Sequence, residues 1–368
     1  MKSFDVLIIG AGITGITAAS ILAREKNLRV LIDEKRTHIG GNCYDCINKD
    51  GLLIHLYGPH IFHTQHKSVW DYLSQFTNWI DYIHHVKAFV DKKHISFPIN
   101  INTFEQLFNK TFTRNDVISY LEKEKIDLLK IENAEDMVIS RMGKTIYNKF
   151  FKNYTRKQWG MDARQLAPEI TARIPIRFNR DDTFFTDPYQ GIPENGYTAM
   201  FKRMLDHPNI KLITGKTFQD IQKTINFKAL IFTGPIDEFF NYQNGALPYR
   251  GIHFDFKTYD QEYYLPVAVV NYPNDHEYTR ATEFKHMTQQ KHPKTSLCYE
   301  YPADSGSDQV SPLPSYPILT PESICRYKAY QDAAHQLTDT LFMGRLGKFQ
   351  YLNMDICVKQ VMDELNAF

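Results

Sequence analysis

The first forty residues restrict this chain to few folds. Val6-Leu7-Ile8-Ile9 runs into Gly10-Ala11-Gly12-Ile13-Thr14-Gly15, an apolar helical stretch continues to Leu22, and a second apolar run, Val30-Leu31-Ile32, ends at Asp33-Glu34. This reads as strand, glycine turn, helix and strand, with an acid closing the second strand, the pattern that binds a dinucleotide. Gly10 permits the tight turn, Gly12 lets a pyrophosphate approach the backbone, and Gly15 lets helix and strand pack closely. The pyrophosphate would rest on free N–H groups at the helix start, beside Ile13 and Thr14. Glu34, followed by Lys35, falls where a carboxylate accepts hydrogen bonds from an adenosine ribose.

A second glycine pair follows in Ile39-Gly40-Gly41-Asn42. Its place just past the acid favours a flavin dinucleotide over a nicotinamide one, the other reading being a turn without a ligand. The 368 residues, 43% of them hydrophobic, are enough for two or more packed domains. A net charge of +1 gives no general attraction to nucleic acid or to an anionic membrane. The apolar stretch after Phe4 breaks at Gly10, and no later run approaches the roughly twenty apolar residues that a bilayer needs. A soluble cytoplasmic protein is the expectation. Five scattered cysteines do not form a disulfide framework, and the Cys43/Cys46 pair has redox or zinc spacing but no second pair.

Along the chain the periodicity changes three times. Val86 to Phe97 reads as a hairpin about Asp91-Lys92-Lys93, and Thr103 to about Gln158 as helices, with capping signals at Thr103 and Thr113. A proline-punctuated segment carrying Pro168, Pro175, Pro188 and Pro193 follows, a candidate mobile lid. Gly196 to Leu205 then reads as helix, Ile210 to Thr214 as strand, and Ala229 to Phe232 as a buried parallel strand returning to the first domain. Tyr242 to Tyr301 alternates as an antiparallel sheet does, Leu341 to Arg345 reads as a strand, and Asp355 to Leu365 as a closing helix.

Two clusters carry polar chemistry. Tyr57-Gly58-Pro59-His60-Ile61-Phe62-His63-Thr64, flanked by His55 and His66, has spacing that a metal could use, yet no acid or cysteine is interleaved. Imidazoles beside a flavin explain it better, with His63 the first choice. In the second, from Phe150 to Gly160, aromatic residues alternate with polar ones. Core packing and a platform for a flat heteroaromatic ring are both open there. Arg173, Arg280 and Arg345 follow, and arginine grips diphosphate in bidentate fashion.

These segments together resemble one family, the prokaryotic UDP-galactopyranose mutases. The likeness runs in order through Ile39 to Asn42, Gly58 to Thr64, Tyr154-Thr155 with Lys157 to Gly160, and Arg173-Ile174-Pro175. It continues through Tyr189 to Pro193, Thr233 to Asp237, Tyr278-Thr279-Arg280 and Gly344-Arg345-Leu346. The resemblance implies an α/β (α+β multidomain) protein: a Rossmann-like FAD domain (1–80, 191–240, 310–368), an inserted helical-bundle domain (98–178) and an antiparallel β-sheet domain (81–97, 179–190, 241–309). It also implies a homodimer that uses UDP-galactose, needs a separate reductant for its flavin and supplies galactofuranose for cell-surface polysaccharide.

In that family FAD is active when reduced, and its N5 attacks the anomeric carbon as UDP leaves, so the sugar ring opens and recloses with no net redox. Carried over by motif, His63, Arg173 and Arg280 are the catalytic set. Phe151, Tyr154, Thr155 and Trp159 would hold the uridine side, Tyr316 and Tyr351 would reach the diphosphate, and Phe150, Phe184, Asn271 and Asn353 complete the substrate-binding set, position 184 being phosphate-facing in the family. His60, Ile61, His63, Thr233, Arg345 and Met354 would join the glycine loops around FAD. Two positions depart from the family: Phe184 stands where tyrosine is common, and Asn353 where aspartate is. Pro59, where relatives often carry a smaller residue, bears on tolerance at the sugar 2-position and so on UDP-N-acetylgalactosamine. An FAD oxidoreductase of the amine-oxidase type and a non-catalytic nucleotide-sugar binder are the competing readings.

Overall fold

The protein, described here from a computed structural model over residues 3–304 and 314–366, is organised around β1 (Ser3–Ile9). Its neighbours are β2 (Val30–Glu34) on one side and the strand Asn226–Phe232 on the other, both parallel to it. Ile210–Thr214 and Thr340–Phe342 complete a five-stranded parallel sheet at its two edges. Such a sheet is covered on both faces, which is why β1 and β2 are apolar runs rather than alternating ones. The helix α1 (Ile13–Arg24), the helix Gly196–Leu205 and the closing helix Met354–Asn366 pack on one face; Phe218, Ile221 and Phe239 pack on the other.

The chain leaves this sheet after β2 and returns at Ile210. In between, the helices Ile101–Phe108, Arg114–Glu124, Ala134–Ile146 and Lys152–Trp159 form the inserted layer. Thr113 caps its helix as the sequence implies, but the first helix starts earlier than its expected cap. Asn100 is the N-cap there, accepting from the backbone N–H groups of Asn102 and Thr103, and Thr103 is the third helical residue, its hydroxyl accepting from Asn100 N–H in return. The two polar residues of one capping box exchange roles. A wide π turn at Tyr147–Phe151, absent from the sequence reading, rotates the following helix relative to the preceding one.

The other large sheet has seven strands, in the order 316–317, 249–259, 295–304, 280–283, 269–271, 86–90 and 93–97. It is antiparallel except where Val269–Asn271 runs parallel to Val86–Val90. The hairpin of 86–97 is the expected one. At the C-terminal side the expected strand Leu341 to Arg345 stops at Phe342: Gly344, with φ of +76°, turns the chain into a short helical segment, Gly344–Gly347. The expected boundary between residues 309 and 310 lies outside the described residues. A three-stranded sheet of Phe62–Thr64, Tyr189–Pro193 and Trp79–Asp81 ties the layers together beside the site. All five cysteines are free, and the buried Cys43 directs its thiol at the Met354 sulfur, 3.5 Å away, rather than at Cys46. No helix among the described residues is long and apolar enough to cross a membrane.

Candidate active site

The two glycine loops face each other at the C-terminal edge of the parallel sheet. Gly10 adopts φ of +100°, and a Cβ at Gly15 would stand 1.9 Å from the Gly10 carbonyl oxygen, so turn and helix approach as closely as backbone allows. Gly12 is the N-cap of α1 and no side chain caps the helix, which leaves its first N–H groups open to an anion. Gly40 N–H donates to the Ala11 carbonyl (2.7 Å), and a Cβ on Gly41 would lie 2.9 Å from the Gly12 Cα. Glu34 accepts from Ala11 N–H (2.9 Å) and Arg36 N–H (3.0 Å), one bond to each oxygen, so each oxygen keeps a lone pair for a ribose hydroxyl.

Around this cradle runs a cleft lined by Gly10, Gly12, Ile13 and Thr14 from the first loop and by Glu34, Lys35, Gly40, Gly41 and Asn42 from the second. Thr233, Arg345, Met354 and His60 also line it, while Gly15 lies beneath the turn and the expected Ile61 and His63 are not part of this lining. The open helix terminus, the ribose-facing carboxylate and the elongated cleft suit a dinucleotide such as FAD.

A second cavity of about 430 Å³ adjoins the first, and Asn42, His60, Arg345 and Met354 line both. His60 thus stands at the junction, whereas His63 and Ile61 line only the second cavity. Burial, with His55 nearby, pushes the His60 imidazole down to about 3, so it is neutral at physiological pH. Its Nδ1 pairs with the Gly58 carbonyl at 2.9 Å.

Arg173 reaches this cavity from the end of the helical layer and Arg280 from the seven-stranded sheet. Arg280 is paired with Glu300 at 2.7 Å, and the Glu300 side chain is only 1% exposed. Burial works against the Arg280 charge, but Glu300 and the Tyr154 hydroxyl outweigh it and hold the guanidinium charged. Its Nε and the second Glu300 oxygen have no partner among the described residues. Arg173 instead lies over Tyr351, 3.4 Å from the hydroxyl and 5.5 Å from the ring centre, and Arg345 flanks the same ring at 5.3 Å. Burial opposes ionisation of Tyr351, yet Arg173, Arg345 and Arg280 together hold its phenol below the usual tyrosine range. Tyr316 stacks on it at 5.4 Å. The cavity therefore concentrates positive charge and hydroxyl donors, as a diphosphate requires.

Phe184, Asn271 and Asn353 also line this cavity. Phe150, Phe151 and Thr155 are instead buried in the packing behind it. Burial pushes the Tyr154 phenol up, against the opposing charges of Arg280 and Arg173 nearby, and Trp159 packs partly buried against the same core. The sequence reading passed over Glu300, the carboxylate beneath Arg280, and Asp187, which pairs with His63 at 2.5 Å. It also passed over His84, which lines the cavity and which burial and Arg280 push down to about 3. No local signal marks these residues, because their partners are brought together by strand pairing. Among the described residues no cluster suited to a metal ion occurs.

Comparison with known proteins agrees with this geometry. Residues 149–351 match the family model for UDP-galactopyranose mutase, and residues 8–76 match an NAD(P)-binding Rossmann-like domain. A probable UDP-galactopyranose mutase of Klebsiella pneumoniae is 36% identical over 100% of this chain and 95% of its own. A dTDP-fucopyranose mutase of Escherichia coli is 34% identical over 97% of this chain and 96% of its own. Among solved structures, reduced UDP-galactopyranose mutase superposes with a TM-score of 0.78 at 15% identity, covering 100% of this chain and 95% of that one, a likeness of fold. By sequence across its whole length, then, this chain belongs to the UDP-galactopyranose mutase family.

Proposed function

We propose that this enzyme interconverts UDP-galactopyranose and UDP-galactofuranose with no net redox change, holding FAD in the glycine-lined cleft and the nucleotide sugar in the cavity beside it. The observation that carries the reading is the shared wall: Asn42, His60, Arg345 and Met354 border both spaces, so a flavin ring at the end of the first would face a sugar in the second. When bound and reduced, FAD supplies a ring nitrogen, N5, as nucleophile toward the anomeric carbon.

The protein's own work is orientation and charge. Arg173 and Arg280 grip the diphosphate from two layers and offset the charge that grows on departing UDP, with Tyr316, Tyr351 and Asn353 donating to it. Tyr154 and Trp159 hold the uridine, backed by Phe150, Phe151 and Thr155. Phe184, Asn271 and His63 face the hexose. His60, neutral, packs at the flavin without adding charge. The enzyme works as a cytoplasmic homodimer, receives electrons from an unidentified reductant and supplies furanose for cell-surface polysaccharide.

The test is incubation of the dithionite-reduced, FAD-loaded protein with UDP-galactofuranose, with the pyranose followed by chromatography. Conversion is expected; none above a flavin-free control rejects the reading. A second substrate, dTDP-fucopyranose, is supported by the Escherichia coli relative and by Phe184, whose ring offers a sugar no hydrogen bond. Run in parallel, the two nucleotide sugars rank the readings by kcat/KM.

A further inference from the structure

His63 is held unusually firmly for a residue on a cavity wall. It lies on the strand Phe62–Thr64, opposite Gln190 of Tyr189–Pro193. The Gln190 amide donates to the carbonyls of Asp187 (2.9 Å) and Phe185 (3.4 Å), folding that segment back over the imidazole. Phe185 then stacks on the imidazole with centres 3.6 Å apart and planes 14° apart, and His84 stacks at 5.7 Å from the same phenyl ring. Asp187 Oδ2 sits 2.5 Å from His63 Nδ1, and both side chains are about 15% exposed. With one face covered and one nitrogen tied, the ring cannot turn over.

The tie also decides where the hydrogen is. An ionised carboxylate only accepts, so Nδ1 must be the nitrogen that carries N–H, and in the neutral ring Nε2 is left with the lone pair. Nε2 is the nitrogen free to serve the cavity that Arg173 and Arg280 also line. His84 differs, since its Nδ1 is engaged by the Tyr82 hydroxyl at 3.0 Å and, among the described residues, no carboxylate pairs with it.

The isomerisation requires one proton to change oxygens. A hexopyranose closes through O5 and carries hydrogen on O4, whereas the furanose closes through O4 and carries hydrogen on O5. Passing from one to the other breaks C1–O5, makes C1–O4, removes a proton from O4 and delivers one to O5, with none gained or lost overall. We propose that Asp187 is a positioning residue for this reaction: it fixes His63 so that Nε2 takes the proton from one sugar oxygen and returns it to the other. The inference rests on the mutase reading of the site.

The test replaces Asp187 with asparagine, which keeps the shape but can turn its amide NH2 toward Nδ1 and so force the hydrogen onto Nε2. Nitrogen NMR of histidine-labelled, FAD-loaded protein without nucleotide sugar reads the tautomer, with His63→Gln identifying the signal. The wild-type ring should be the Nδ1–H form and that of Asp187→Asn the Nε2–H form. Turnover of Asp187→Asn should fall roughly a hundredfold with KM little changed, and Asp187→Glu should recover about a tenth or more of wild-type kcat. An Nε2–H ring in the wild type, or Asp187→Asn turning over within about threefold of it, overturns the proposal. If the wild type converts no nucleotide sugar at all, the reaction assigned above fails, and with it the proton role of His63; the tautomer result separates that outcome from a misplaced imidazole.

Discussion

Replacing Arg280 with alanine should damage both stability and turnover, whereas replacing Arg173 should damage turnover alone. The difference lies in what each guanidinium leaves behind. Removing Arg280 strands Glu300, a carboxylate whose side chain is 1% exposed and whose other oxygen already lacks a partner among the described residues. Breaking a buried pair from one side costs about 3–5 kcal/mol. Because the Arg280 side chain is 24% exposed, water can take back part of that, and about 2–3 kcal/mol is the reasonable figure. For a chain of 368 residues that is a fall of roughly 3–4 °C in melting temperature. Arg173 strands nothing charged: its contacts are the Tyr351 hydroxyl and ring, together worth about 1 kcal/mol or less. Each change should lower kcat/KM by roughly two to three powers of ten if the lost cation had faced charge growing in the transition state. Thermal unfolding of the FAD-loaded variants without nucleotide sugar, beside steady-state kinetics, measures both. Arg280→Met with Glu300→Gln should restore the melting temperature but not the activity. An Arg280→Ala protein that melts with the wild type, or an Arg173→Ala protein that melts as early as Arg280→Ala, would refute the reasoning.

Acidification should weaken the fold through its neutral histidines. Burial pushes His55 down to about 4 and His60 and His84 down to about 3, so below pH 6.5 the unfolded chain takes up protons that the folded one refuses, and stability falls with pH. Asp33 acts in the opposite sense: burial, with Glu34 and Asp220 nearby, raises it to about 6, and its contribution is lost as pH rises from 4 to 6. Three groups outweigh one, so the melting temperature should drop from pH 6.5 to 4.5. Asp33→Asn should steepen that drop and add on the order of 2 kcal/mol at pH 7; a flat profile contradicts the assignment. Gly15→Ala should reduce FAD affinity roughly tenfold or more, read by flavin fluorescence titration, because its methyl would meet the Gly10 carbonyl oxygen at 1.9 Å. Asp45→Ala should cost about 1–2 kcal/mol in urea unfolding, since Asp45 accepts from the N–H groups of Tyr197 (2.5 Å) and Thr198 (2.8 Å) at the start of their helix.

What could be read from the sequence is what chain-local physics determines. The glycine turn, the hairpin at 86–97 and the helix at 196–205 each depend on residues within a few positions of one another. Arg280–Glu300 and His63–Asp187 are different in kind, joining residues 20 and 124 positions apart that only sheet pairing brings together. Phe150 and Phe151 illustrate a real ambiguity. Aromatic residues at helical spacing suit a ligand platform and a core equally well, and these two are 4% and 5% exposed, turned inward by a π turn that no periodicity announces. The first capping box carries a related lesson. Asn100 and Thr103 both have cap chemistry, and which of them opens the helix depends on where the preceding strand ends.

The central place of β1 has a consequence for synthesis of the chain. Ser3 pairs with Asn226 and Ile9 with Phe232, so one whole edge of β1 must wait, apolar and unzipped, until the ribosome has added roughly two hundred further residues. A nascent chain halted before that point exposes a ready template for intermolecular sheet growth. Nucleotide-binding residues on the β1–α1 turn are therefore made long before they become competent, and occupancy by a chaperone in the interval is the natural safeguard for them.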